Sequence, residues 1–152
     1  DLREVPVKLC CMDPWEPMRK GEWSITPIIP HHDPHQICFN LLISRNKKTV
    51  LYATDTGRYD EPTWDFLRGQ KIDGAVIECS KGSKEGGYDG HLSIPDVIDM
   101  RKRLIDMGTM PAGAPVVTTH LCHLGGLMHE EMEELFRPHG VQVGYDGMVF
   151  EV

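Results

Sequence analysis

The stretch LYATDTG, residues 51–57, is an apolar run that stops abruptly on an ionisable carboxylate, Asp55. Asp-Thr-Gly on its own suits a turn. The alternative is that a buried strand exists to hold Asp55 against a ligand, and the segments on either side decide between the two. Before it lie two further β-like runs, EWSITPIIP (22–30) and QICFNLLIS (36–44). The strand holding Asp55 is KTVLYAT (48–54), and RNK before it is short enough for a hairpin turn. After it, PTWDFLRG reads as a short helix stopped by Gly69, and GAVIECS (74–80) as a strand buried on both faces.

Farther along, Ile94, Val97, Ile98, Leu104 and Ile105 recur at helical spacing, broken only by Arg101. Ser93 with Asp96 three residues on can cap this helix, and Gly108 can end it. APVVTTH (114–120) resumes as a strand, LMHEEMEELFRPHG (127–140) is an acidic amphipathic helix, and VQVGYDGMVFEV closes as a hairpin turning near Asp146 and Gly147. The opening 21 residues carry three prolines and read as loop, with one short strand at Val5 to Leu9. Strands alternating with helices predict an α/β sheet with helices packed outside it.

A chain of 152 residues is enough for one domain. Its 40% hydrophobic and 26% charged composition is that of a soluble globular protein, with no run of about 18 apolar residues to span a bilayer. Sixteen basic against twenty-three acidic residues give −7, which disfavours long nucleic acids as partners. Five cysteines at 10, 11, 38, 79 and 122, without a CxxC spacing, predict reduced thiols in a cytoplasmic protein. RKR at 101–103 reads as a solvated helix face, and Met100, Met107, Met110, Met128 and Met132 as core filler.

Four polar groups, His32, Asp55, His91 and His120, fall where predicted elements give way to loops, the usual place for ligands in α/β sheets. Imidazole nitrogens and a carboxylate are a ligand set for zinc, manganese or iron(II). His31 and His35 compete with His32, because HHDPH leaves the register open. His123 either orients a ligand or faces solvent, Glu78 either supports the site or is structural, and His129 and His139 read as surface groups.

This order resembles the C-terminal half of a metallo-β-lactamase-fold hydrolase, an αββα sandwich. ITPIIPHHDPHQICFNLLI is similar to the segment delivering a metal-binding histidine, here His32, and LYATDTG to the strand delivering a bridging aspartate, Asp55. GHLSIPDVIDMRKRL resembles a histidine-plus-helix motif of the phosphodiesterase branch that includes tRNase Z, and VVTTHLCHLGG its last ligand, His120. The resemblance implies two divalent ions (zinc, manganese or iron) that activate water, a small or cyclic phosphodiester substrate, and His91 as catalytic proton donor. The family signature His-x-His-x-Asp-His occurs nowhere in the sequence. His32 with Asp55, and Asp55 with His120, leave two ligands per ion, too few for a tight site. The expectation is a partial domain completed by a missing N-terminal half or by homo-oligomerisation. Two other readings stand beside it: a non-catalytic module of this fold, and an aspartic protease using Asp55 in ATDTG.

Overall fold

The computed structural model describes residues 10–84 and 86–152. A seven-stranded sheet runs in chain order from β1 (Met18–Lys20) through β2 (Trp23–Ile28), β3 (Asn40–Arg45), β4 (Lys48–Ala53), β5 (Gly74–Glu78) and β6 (Val116–Thr119) to β7 (Gln142–Val143). The first four strands are antiparallel and β4 to β7 are parallel. Both β2 and β4 oppose β3, so β2, β4, β5 and β6 all end at the same edge of the sheet.

Local chemistry accounts for the elements. Asn46 and Lys47 join β3 to β4 with φ of 51° and 64°, the left-handed pair that a tight two-residue hairpin requires. α1 (Glu61–Leu67) starts on a proline-bearing first turn. At α2 (Ile94–Asp106) the Ser93 N–H and hydroxyl both donate to Asp96, at 2.9 and 2.6 Å, and Gly108 at φ 71° follows the helix. α3 (His129–Phe136) is shorter than the predicted helix, its end tightening into a 3-10 turn over Arg137–His139.

Alternation along the strands sends Leu42, Leu51, Ala53, Ala75, Ile77 and Val116 to one face. There they meet Trp64, Leu67, Val97, Leu104, Met132 and Phe136 of the three helices. The other face carries Ile25, Leu41, Ile43, Val50 and Tyr52, none fully buried, and no helix among the described residues packs on it. Near β5 and β6 the closing residues cross this second face, where a Cβ on Gly74 would meet Val152 at 2.5 Å.

Four expectations need correction. Residues 141–152 form no hairpin: β7 pairs parallel to β6 through only two residues, and the rest lies outside strand structure. A hairpin would fold residues 148–152 back to pair with β7, and these residues turn onto the sheet's surface instead, where Val152 reaches Gly74. Residues 36–39 are not strand, and β1 lies within the stretch read as loop. Met128 is 69% exposed, although Met100, Met110 and Met132 are core. The strand expected at Val5 to Leu9 lies outside the described residues. RKR behaves as a helix surface, with Arg103 pairing with Glu61 at 2.9 Å over the Trp64 ring, and Lys102 pairing with Asp106.

Burial raises the Asp96 pKa, but the Ser93 donors and the Arg58 guanidinium together outweigh it and hold the carboxyl below its ordinary 3.8. A depressed carboxylate contributes stability that is complete above the unfolded pKa and lost as pH falls through the folded one. Asp96→Ala is therefore expected to lower stability at neutral pH by about 1–2 kcal/mol, the cost of a lost cap. Denaturant unfolding repeated downward from neutral pH should show the gap between wild type and variant closing below that 3.8. A gap unchanged by acid would contradict the assignment.

Candidate metal centre

The strand ends at the shared edge deliver the polar groups. Asp55 lies two residues beyond β4, Glu78 ends β5, and His120 follows β6 directly. His91 comes from the loop between β5 and α2, which closes on itself where Lys81 N–H donates to Leu92 O and Ile94 N–H to Gly82 O. Asp55, Glu78, His91 and His120 each offer an atom within 4.8 Å of the others. His32, from the loop after β2, sits outside that group but beside it, its ring centroid 5.0 Å from that of His91.

Asp55 and His120 have φ of 51° and 53°. Residues other than glycine are uncommon in this region, and the backbone there costs about 1–3 kcal/mol. Surrounding bonds hold the conformation: Asn40 Nδ2 donates to Thr54 O at 2.6 Å, and Tyr59 OH donates to Asn40 Oδ1 at 2.6 Å. Gly57 N–H donates to His31 O at 2.6 Å, which ties the β4 loop to the β2 loop.

Glu78 is fully buried and fully used. Its Oε1 accepts from Thr56 N–H at 2.9 Å and His91 Nδ1 at 2.6 Å, and its Oε2 from Ser80 N–H at 3.0 Å and Leu92 N–H at 3.2 Å. A carboxylate has about four lone-pair directions, so all are taken. Glu78 therefore orients His91 rather than binding an ion.

The same accounting sets the tautomers. His91 must donate from Nδ1 to Glu78, and His32 from Nδ1 to Gly90 O at 2.8 Å, since both acceptors lack a hydrogen. The Ser80 hydroxyl gives its one proton to His120 O at 2.9 Å and accepts from His120 Nδ1 at 2.7 Å. Each neutral ring is left with its lone pair on Nε2. His120 Nε2 stands 3.2 Å from Asp55 Oδ1, two acceptors facing each other with nothing to share unless a cation or proton lies between them. Oriented imidazoles with oxygen partners behind them, around an aspartate, are the chemistry of a divalent transition-metal site.

The structure separates the competing histidines. His31 turns away between Asp60 and Asp89, 3.3 Å from each; the Asp60 carboxylate raises its pKa against desolvation, and Asp89 adds to the rise. His35 is exposed, its N–H donating to Asp33, and His123 is exposed at a 3-10 turn outside the cluster. His129 pairs with Glu133 at 3.4 Å. Asp146 joins His120 in lining a separate cavity. All five cysteines are free, and burial pushes the Cys79 thiol up to about 12, so it is unreactive. Ser80 went unnoticed in the sequence because a serine after a strand carries no distinguishing signal.

YhfI from Bacillus subtilis, a metallo-β-lactamase fold protein, superposes with a TM-score of 0.69 over 91% of this chain and 52% of its own, at 21% identity. The chain carries the metallo-β-lactamase fold. Zn(2+)-bound PqqB from Methylobacterium extorquens matches with TM-score 0.62 at 13% identity, over 93% of this chain and 55% of its own. A diphosphatase from the PhnP family matches with TM-score 0.62 at 17% identity, over 88% and 45%. No protein-family model and no curated protein matches the sequence. The chain thus spans about half the length of these metallo-β-lactamase-fold structures. Its mixed sheet with helices on one face is the expected portion of the α/β sandwich. That architecture gives the aspartic-protease reading of ATDTG no support, and among the described residues Asp55 is grouped with imidazoles and Glu78, not with a second aspartate. No helix among the described residues is long and apolar enough to cross a membrane.

Proposed function

We propose that this chain forms part of the metal centre of a hydrolase acting on a small or cyclic phosphodiester. The carrying observation is the Asp55–His120 acceptor pair, backed by imidazoles whose Nδ1 atoms are already committed. The zinc of PqqB and the diphosphatase activity named for the PhnP-family relative support the metal and phosphoryl parts of this reading. His32, Asp55 and His120 are the residues that would hold the divalent ions. The ligands that complete the centre are assigned to a second layer bearing the absent His-x-His-x-Asp-His signature, packed on the uncovered sheet face from a further segment or a second subunit.

Bound divalent ions supply Lewis-acid polarisation of phosphoryl oxygens and a lowered pKa for water. The chain's own residues then do the positioning. As the new P–O bond forms from water and the ester P–O bond breaks, the departing oxygen needs a proton. Glu78 holds the His91 ring by Nδ1, so the proton released by the attacking water, taken up on the free Nε2, faces the cluster and is the one within reach. Ser80 keeps His120 from rotating its Nδ1 inward. A non-catalytic module is the reading that remains if no metal binds.

Elemental analysis after exhaustive desalting tests this. Wild type is expected to retain zinc, manganese or iron, and Asp55→Ala to lower metal affinity by at least about 100-fold, more than loss of an outer partner costs. Equal metal content in wild type, Asp55→Ala and His120→Ala would overturn the assignment.

A further inference from the structure

A second feature stands against the metal centre. A cavity of about 790 Å3 opens beside His32, between the loop after β2 and residues 88–89. Its walls include Ile29, Ile37, Phe39 and Tyr88. Ile37 is 89% exposed, Tyr88 51% and Ile29 44%. Scattered exposed apolar side chains need no explanation, but several around one concavity mark a binding surface.

Tyr88 is built into place. Its hydroxyl donates to His32 O at 2.8 Å, and its ring stands edge-on to both His32 and His91, with centroids 5.9 and 5.7 Å away. A Cβ on Gly90 would lie 2.4 Å from the ring, so only glycine there lets the tyrosine fold down. One aromatic side chain is thus a shared wall of the metal centre and the cavity. Such a ring keeps a free face for an apolar or planar group.

The charges lining the cavity have one dominant sign. Asp33, Asp60 and Asp89 line it, among the described residues no lysine or arginine does, and His31 is already engaged by two of the three carboxylates. A substituent carrying further phosphates or carboxylates would enter against this field, whereas an uncharged ring or alkyl group gains from burial.

We infer that this cavity is the subsite for the organic group of the substrate, and that the substrate is a monoanionic phosphodiester with an uncharged, apolar or aromatic ester. This rests on the phosphodiester reading of the centre and adds the substrate class. Tyr88 and Ile37 are the specificity-determining residues.

Isothermal titration of the metal-loaded, full-length protein with phosphonate monoesters tests it, because these carry the single charge of a diester and resist cleavage. Phenyl methylphosphonate is expected to bind at least about 10-fold tighter than methyl methylphosphonate, the gain from burying a ring. Adding a carboxylate to the ring, as 4-carboxyphenyl methylphosphonate, should remove that gain. Tyr88→Ala and Ile37→Asp should each bring the phenyl and methyl affinities to within about threefold of each other, while Tyr88→Phe keeps the preference. Ile37 is exposed, so its variant tests the subsite even if Tyr88→Ala fails to fold. Equal affinities in wild type, no binding of either ester, or a preference that survives Ile37→Asp would overturn the proposal. Turnover of bis(p-nitrophenyl) phosphate is scored separately. Turnover without the phenyl preference sinks the subsite alone, and the preference without turnover sinks the hydrolase reading while leaving the subsite standing.

Discussion

Glu78→Ala is expected to destabilise the protein by about 3–5 kcal/mol, a large share of the 5–15 kcal/mol available to a domain. The carboxylate is fully buried and, among the described residues, is the one acceptor for three backbone N–H groups from three segments: Thr56 after β4, Ser80 after β5, and Leu92 before α2. Removing it leaves these donors without their acceptor, at about 1–3 kcal/mol for each unsatisfied group before any relaxation. It also frees His91, whose Nδ1 loses its acceptor. Glu78→Gln keeps the volume but turns an N–H2 group toward two N–H donors, so it should retain the fold with a smaller loss. On the function proposed above, it should still lower hydrolysis about 100-fold, because His91 loses its fixed orientation. Denaturant unfolding of both variants, with hydrolysis followed in parallel, separates the two roles. A Glu78→Ala protein within about 1 kcal/mol of wild type would show that the carboxylate does not hold the loops together.

Gly57→Ala should be the next most damaging change, at about 2–4 kcal/mol with loss of metal retention, above the usual range for overpacking. A Cβ at Gly57 would lie 1.8 Å from Asp89 O and 2.9 Å from its carbonyl carbon, and both are backbone atoms that cannot rotate away. The same residue donates the 2.6 Å bond to His31 O. Relieving the clash therefore pushes apart the loops that carry His32, Asp55 and His91. Gly69→Ala is the control: nothing lies within 4 Å of its Cβ position, and the substitution should be neutral or slightly stabilising. Thermal unfolding and metal content of the two variants make the comparison. Equal behaviour would mean that the close approach at Gly57 does not organise the site.

What could be read from the residues alone was local in origin. Period-2 and period-3.6 apolar spacing located β2, β4, β5, β6 and α2, and the Ser93–Asp96 spacing marked where α2 begins. The strand ends then placed Asp55 and His120 at one edge, because parallel strands that share a direction share an end. Which of His31, His32 and His35 comes to lie beside the cluster was not local. It depended on which imidazole found the carbonyl of Gly90, 58 residues away, and on Asp60 and Asp89 drawing His31 aside. Glu78 likewise reads as either structural or functional until the Thr56, Ser80, Leu92 and His91 donors are seen to fill all its lone pairs. The closing residues alternate well enough for a hairpin, but alternation only states which side of a residue is apolar. Whether that side is buried by a partner strand or laid on an existing sheet surface is decided by tertiary packing, and here β7 keeps two residues of pairing while the remainder lies over Gly74 and β6.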